Sequence, residues 1–240
     1  CGKFDLNKGD RIARPPAWGL DGQNNLAAWG FSAGINNEGK MDGANSGRER
    51  AQGPYLHFLE QRGLRQAHVD DFARRDKLAS FPTPLPDDAY CDNWIGQNGL
   101  GLLAAAPADQ SWFLQVNFTG PHNPWDIAES MTQLYANAEF PQPDGASDDP
   151  PAALLQVRRN YAAMIENIDR WLGLYIEVLA QRGELDNTLV VFSSDHGEML
   201  GDHGRWGKSL PHQPSIGVPL TIAGPCVRAA TAVDAPTTIL

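Results

Sequence analysis

The sequence predicts an α/β fold: a central, mostly parallel sheet with helices on both faces, incomplete at both ends. Three observations lead there. Thr188-Leu189-Val190-Val191-Phe192 and Trp112-Phe113-Leu114-Gln115-Val116-Asn117-Phe118 are short apolar runs of the kind that strands buried on both faces show. Segments with apolar residues at helical spacing alternate with these runs, the longest over 152–182. Both runs end in turns that carry a histidine, Pro121-His122-Asn123-Pro124 and Ser194-Asp195-His196-Gly197. In open α/β sheets, ligands bind outside the carboxyl ends of the strands.

Taken in order, Cys1-Gly2-Lys3-Phe4-Asp5-Leu6 alone reads as a turn with a surface lysine. Residues 7–53, with Trp18, Trp29 and Phe31 among many Gly and Asn, read as irregular loop with at most a short strand over 29–33 and as part of a substrate-facing rim. A helix is expected over 54–62, since Pro54 suits a first turn and Gly63 a C′ position. A second, over 65–78, is a solvated charged face, and His57 and His68 read as surface residues. Pro82, Pro84 and Pro86 form a rigid spacer; Asp87 or Asp88 precedes a helix over 89–105 with Tyr90, Trp94, Ile95 and Leu102 on its buried stripe. Residues 137–151 are an exposed loop. Over 152–182 the stripe runs through Leu155, Tyr161, Met164, Ile165, Ile168, Trp171, Leu172, Tyr175, Ile176 and Leu179 to a stop at Gly183. A last strand is expected over 218–223, Pro219 favouring an edge or a strand start.

Composition narrows the function. The chain of 240 residues carries a formal net charge of −10 and a pI near 4.9, which argues against broad binding to nucleic acid. It leaves room for a small anionic ligand, because a few lysines and a cation can reverse the field inside a pocket. No apolar run reaches the roughly 18 residues of a membrane span. Cys1, Cys91 and Cys226 are too few and too scattered for a disulfide framework. Both ends read as cuts through a domain.

The densest chemistry follows the 188–192 run. An aspartate after a strand is often only a turn former or a helix cap. Here Asp195 and His196 are followed by Gly197, Gly201, Gly204 and Gly207, which let backbone approach a ligand closely, and by Lys208. A carboxylate beside an imidazole is a plausible half of a metal site. Glu198, Asp202 and His203 suit hydrogen-bonding support of that loop, and His212, between prolines, is a candidate substrate contact.

Ser194-Asp195-His196-Gly197-Glu198-Met199-Leu200-Gly201-Asp202-His203-Gly204, continuing to Lys208 and to Val218-Pro219-Leu220, resembles the C-terminal part of the type I sulfatase catalytic domain in the alkaline phosphatase superfamily. Gly120-Pro121-His122 resembles the GPHxP element of that family, and Gly2-Lys3 its GKWH segment. The resemblance implies an alkaline-phosphatase-like sandwich, metal ligation by Asp195 and His196, and sulfate contacts from Lys3, His122 and Lys208, with His122 also at the leaving oxygen. Lysine suits such a contact as a mobile point charge, and these three residues are the catalytic and substrate-binding candidates. Most sulfatases carry Asn where His196 stands; His there resembles choline sulfatases and phosphonate monoester hydrolases. Asp5 stands where most relatives have His, and no role is carried over to it, since a carboxylate cannot donate to sulfate.

In such enzymes the nucleophile is a formylglycine made in a C/S-x-P-x-R motif, which none of the three cysteines and no serine here offers. The resemblance therefore implies that residues 1–240 are a partial catalytic domain, without the segment that bears the nucleophile and a pair of Asp ligands and without the small C-terminal domain. The implied activity is metal-assisted hydrolysis of small sulfate monoesters, with the 240-residue chain itself inactive and weak in metal binding. Calcium is the ion implied by the family, while the imidazole of His196 raises manganese or zinc. Alternatives are a phosphonate or phosphate ester hydrolase of the same superfamily and a non-catalytic binding relative.

Overall fold

The computed structural model describes residues 1–4, 25–228 and 231–232, and helix dominates them. In chain order the elements are β1 (Gly2–Lys3), β2 (Asn36–Asn37), α1 (Lys40–Ser46), α2 (Pro54–Gln61), α3 (Arg65–Ala73), α4 (Cys91–Ala104), α5 (Pro151–Gln181), β3 (Val190–Ser193), α6 (Gln213–Ile216) and β4 (Leu220–Ala223). Asp5 and Trp18, singled out in the sequence, lie outside the described residues.

The spine is α5, 31 residues and roughly 46 Å long. It begins at Pro151, whose missing N–H costs nothing in a first turn, and ends before Gly183, which adopts φ 70°. Its buried stripe, Leu154, Val157, Asn160, Ala163, Met164, Asn167, Ile168, Trp171, Tyr175 and Leu179, recurs at three- and four-residue intervals. The N-terminal half packs against Tyr90, Trp125, Ile127 and Met131. There the buried Asn160 amide donates to the carbonyls of Ser80 (2.7 Å) and Trp125 (2.6 Å), so its polarity is satisfied.

The C-terminal half of α5 packs on α4. Gly96 and Gly99 make that contact close: a Cβ on Gly96 would lie 2.2 Å from Trp171 Cδ2, and one on Gly99 2.3 Å from the Tyr175 hydroxyl. Trp171 Nε1 donates to Asn93 Oδ1 (2.8 Å) and the Tyr175 hydroxyl to the Gly96 carbonyl (2.9 Å). A further cluster, Tyr55, Leu56, Leu59, Ala89, Cys91, Trp94 and Ile95, joins α2 to the other face of α4.

Among the described residues the expected central sheet is not formed. β1 pairs with β2 in parallel and β3 with β4 antiparallel, as two separate sheets, and none of the four strands exceeds four residues. The 112–118 run makes one isolated bridge, Asn117 to Gly2. An apolar run dictates extended backbone, but a sheet also needs a partner whose N–H and C=O groups meet it. Here the 112–118 segment meets the first residues: the Cys1 nitrogen donates to the Gln115 carbonyl (2.6 Å), and Asn117 N–H to the carbonyl of Cys1 (2.8 Å). Phe113, Leu189 and Val191 are correspondingly exposed, where burial on both faces was expected, and Ile222 on the strand expected at an edge is exposed as well. The fold is thus mostly α-helical, with two small sheets, instead of an α/β sandwich around a large sheet.

Two smaller expectations also change. The stretch read as loop contains α1, and a 3-10 helix, Asn25–Trp29, precedes the place where a strand was expected. His68 is buried, not on the surface: its Nε2 lies 3.0 Å from the Lys40 carbonyl and its ring packs on Tyr55 and Phe72. The charged composition of α3 hid the face it turns toward α1 and α2.

Gly96→Ala tests the α4–α5 contact. Alanine gains about 1 kcal/mol of helix propensity, but overlap with the indole is expected to win and to destabilise the fold by about 1–3 kcal/mol in denaturant unfolding. A stabilised variant would show that the two helices are not so tightly apposed.

Candidate active site

A cavity of about 1110 Å³ opens between the 112–123 segment, α5 and the segment around β3. Its walls over Trp112, Leu114, Val116, Leu172, Tyr175 and Val190 are apolar. Polar groups gather at the carboxyl ends of the 112–118 run and of β3, where Lys3, Lys40, Asp42, His122, Asp195, His196, Glu198 and Lys208 all line it. The structure therefore brings all five sequence-predicted residues, Lys3, His122, Asp195, His196 and Lys208, to one cavity.

His122 follows the Thr119–Gly120 turn, its amide donating to the Thr119 carbonyl (3.3 Å). Its Nδ1 lies 2.7 Å from the Asn123 carbonyl, which can only accept, so Nδ1 carries the proton and Nε2 a lone pair. Lys208 Nζ donates to that Nε2 (3.1 Å). Burial pushes the His122 pKa below the ordinary histidine range, and the charges of Lys208, Lys3 and Lys40 push it the same way against the Asn123 hydrogen bond. The imidazole is thus held neutral beside a cation in a chain whose net charge is −10.

His196 repeats the arrangement. Its Nδ1 lies 2.7 Å from the Gly197 carbonyl, leaving the Nε2 lone pair 3.5 Å from Asp195 Oδ2. Asp195 Oδ1 is occupied by the His196 amide (3.1 Å), while the side chain is otherwise 79% exposed and open to a further partner. A histidine whose far nitrogen is fixed by a carbonyl has the tautomer that metal ligation needs. The pair fits one side of a divalent site; among the described residues no set of three His, Cys, Asp or Glu converges to hold an ion. The His122 and His196 ring centroids are 6.3 Å apart.

The loop from Glu198 to Lys208 is held by backbone conformation and by carboxylates. Glu198 Oε1 accepts from the amides of Gly207 (2.6 Å) and Leu200 (3.2 Å). Asp202 accepts from Arg158 Nη2 (2.9 Å) and from the Asp144 amide (3.0 Å). Leu200, His203 and Ser209 sit at positive φ (48°, 54° and 69°), as does Gly207. His203 stacks on His212 at 4.8 Å, and neither lines the cavity.

Sequence reasoning passed over Lys40 and the carboxylates around it. Lys40 is 2% exposed, with Nζ 2.6 Å from Asp126 Oδ1 and 2.8 Å from the Pro124 carbonyl, just beyond the His122 turn. Asp42 Oδ2 lies 3.8 Å from Lys3 Nζ. Their only signal was a lone Lys-Met-Asp within a glycine-rich stretch. Cys91 opens α4, accepts from Asn37 Nδ2 at 3.6 Å and is absent from the cavity lining; burial pushes its thiol far above the ordinary range.

The Sulfatase family model matches residues 19–239. The chain belongs to the sulfatase family. That match covers nearly the whole sequence, the region of Cys91 included, and overturns the expectation of a remnant lacking the nucleophile segment. An arylsulfatase of Clostridium perfringens is 26% identical over 209 residues, 79% of this chain and 43% of that protein. The multifunctional alkaline phosphatase superfamily protein PehA of Trinickia caryophylli is 43% identical over 174 residues, 59% of this chain and 34% of its own. The chain thus spans less than half the length of these relatives. In fold it is similar to the phosphonate monoester hydrolase SpPMH of Silicibacter pomeroyi, with a TM-score of 0.66 at 24% identity over 77% of this sulfatase-family chain and 44% of that one.

A lowered pKa means that the folded state prefers neutral His122. Its contribution to stability is complete above the ordinary value of 6.5 and is lost as pH falls through that value toward the folded one. An NMR titration of the ring is expected to give a midpoint below 6.5, raised when inorganic sulfate offsets the lysine charges. A midpoint unmoved by saturating sulfate would separate His122 from the anion.

Proposed function

We propose that this site hydrolyses sulfate monoesters in the metal-dependent manner of the alkaline phosphatase superfamily. The observation that carries the reading is the convergence of Lys3, His122 and Lys208 with Asp195 and His196 at one end of one cavity. Asp195 and His196 would hold a divalent ion, which when bound supplies positive charge against the transferring group. Calcium follows from the family resemblance, and the imidazole ligand favours manganese or zinc.

Lys3 and Lys208 face the sulfate oxygens as mobile point charges and favour the charge that builds there in the transition state. In the free site Lys208 occupies His122 Nε2. A bound sulfate draws the ammonium to its own oxygens and offsets the repulsion that keeps the ring neutral. Nε2 then takes a proton from solvent and gives it to the leaving oxygen as the S–O bond breaks, acting as a general acid, while water supplies the oxygen that replaces it on sulfur in the net hydrolysis. The apolar walls over Trp112, Leu114 and Val116 suit the hydrocarbon part of an ester.

A second reading, hydrolysis of phosphonate or phosphate esters by the same residues, is favoured by His196 and by the 43% identity to a relative named multifunctional. Matched 4-nitrophenyl sulfate and 4-nitrophenyl phenylphosphonate, assayed with the whole protein and added calcium, manganese or zinc, decide between them. The sulfate is expected to give the higher kcat/KM, and a chelator to abolish turnover. His122→Ala is expected to lower kcat by roughly 10²–10⁴-fold, and Lys208→Ala by roughly 10²–10³-fold. Preference for the phosphonate establishes the second reading; sulfate binding without turnover of either ester would make the protein a binding relative.

A further inference from the structure

Asp92 is a charged side chain that the chemistry above does not use. It stands in the first turn of α4, 1% exposed, and does not line the cavity. Its Oδ1 accepts from the Thr119 amide (2.7 Å), the Thr119 hydroxyl (2.8 Å) and the Gly120 amide (3.1 Å), and its Oδ2 accepts from the Gly120 amide (2.9 Å). Every one of these donors belongs to the turn that leads into His122.

Gly120 supports the reading from the other side. A Cβ there would lie 2.4 Å from Asp92 Oδ2, so the turn and the carboxylate approach more closely than any side chain would allow. Burial pushes the Asp92 pKa upward, while Lys40 and the turn's donors oppose it. A helix N-terminus favours a negative charge, and bonds to an ionised acceptor are shorter and stronger than neutral ones. A carboxylate at this place can therefore hold a polar turn that would otherwise have buried, unpaired N–H groups.

We propose that Asp92 is a positioning residue for His122. Its carboxylate fixes the Thr119–Gly120 turn from beneath, which sets the Asn123 carbonyl against His122 Nδ1 and turns Nε2 toward Lys208. The same fixation couples α4 to the site, so the position of His122 is determined by the helix core and not by the loop alone. This deepens the reading of His122 as a site residue and rests on it.

The test uses the ring tautomer, which a merely structural role would leave alone, together with affinity for inorganic sulfate. In the unsubstituted protein ¹⁵N NMR is expected to show His122 protonated at Nδ1 alone at neutral pH. Asp92→Asn presents an NH₂ to donors that need an acceptor; it is expected to yield a mixture of Nδ1 and Nε2 tautomers and sulfate binding weakened by roughly tenfold. Thr119→Ser, which keeps the hydroxyl, is expected to behave as the unsubstituted protein. Leu59→Ala, a core truncation on α2 outside the cavity lining, is expected to lower the melting temperature and leave the tautomer unchanged.

If Asp92→Asn does not fold, Gly120→Ala decides the matter, since it drives the turn off an intact carboxylate and is expected to produce the same mixture. A single Nδ1 tautomer and unchanged sulfate affinity in whichever of these two variants folds would overturn the proposal, as would a Leu59→Ala protein that shows the mixture as well. Failure of the unsubstituted protein to bind sulfate would instead count against the proposed function, because the tautomer is read without any ligand.

Discussion

The close apposition of α4 and α5 is the constraint on which the remaining structure depends. Two glycines on α4 admit the Trp171 indole and the Tyr175 phenol so closely that each aromatic both fills the interface and hydrogen-bonds across it. Side-chain packing of this kind has little give, because interiors are as dense as organic crystals. The first turn of α4 presents Asp92 to the Thr119–Gly120 turn, and α5 floors the cavity with Ile168, Leu172 and Tyr175. Most of the candidate site residues lie on irregular backbone, but that backbone is referred to two helices whose separation is set by absent Cβ atoms.

The helices α2 to α5 were legible in the sequence because their determinants are local, while the short α1 and α6 were not. Pro151 and Gly183 bracket α5 within a few residues of the expected ends, and the periodicity between them needs no knowledge of partners. The sheet was not legible in the same way. The apolar runs at 112–118 and 188–192 do specify extended chain, but pairing is a relation between distant segments, and here it yields two small ladders with apolar side chains left in solvent. In the site, the histidines and the loop lysine could be singled out because turns after apolar runs carry them. Lys40, Asp92 and Asp126 could not, since nothing in their neighbours along the chain names the distant group that each meets. Only the fold shows that each is buried and has found its counter-group.

Electrostatics in the cavity depart from those of the chain, since the three lysines there stand among three carboxylates, Asp42, Asp195 and Glu198. A protein with ten excess negative charges places three lysines and two histidines along one cavity. Asp126 neutralises Lys40 from beneath, and Asp42 stands beside Lys3. Each imidazole donates its Nδ1 proton to the carbonyl of the residue that follows it, so both present the same nitrogen. The two roles proposed for them, ion ligation and proton transfer, would then draw on one local backbone device.

The backbone conformation around Lys208 has a consequence for how this surface can change. Leu200, His203 and Ser209 occupy a region of φ that side chains beyond glycine and asparagine seldom adopt, and the glycines between them occupy it too. Replacement by valine, isoleucine or threonine would add crowding at Cβ to a conformation already disfavoured for any branched residue, however exposed the position. Sequence drift in this loop is therefore filtered by stereochemistry before it is filtered by chemistry. A library that randomises it would keep its folded members chiefly among those with glycine, asparagine or aspartate at these three places.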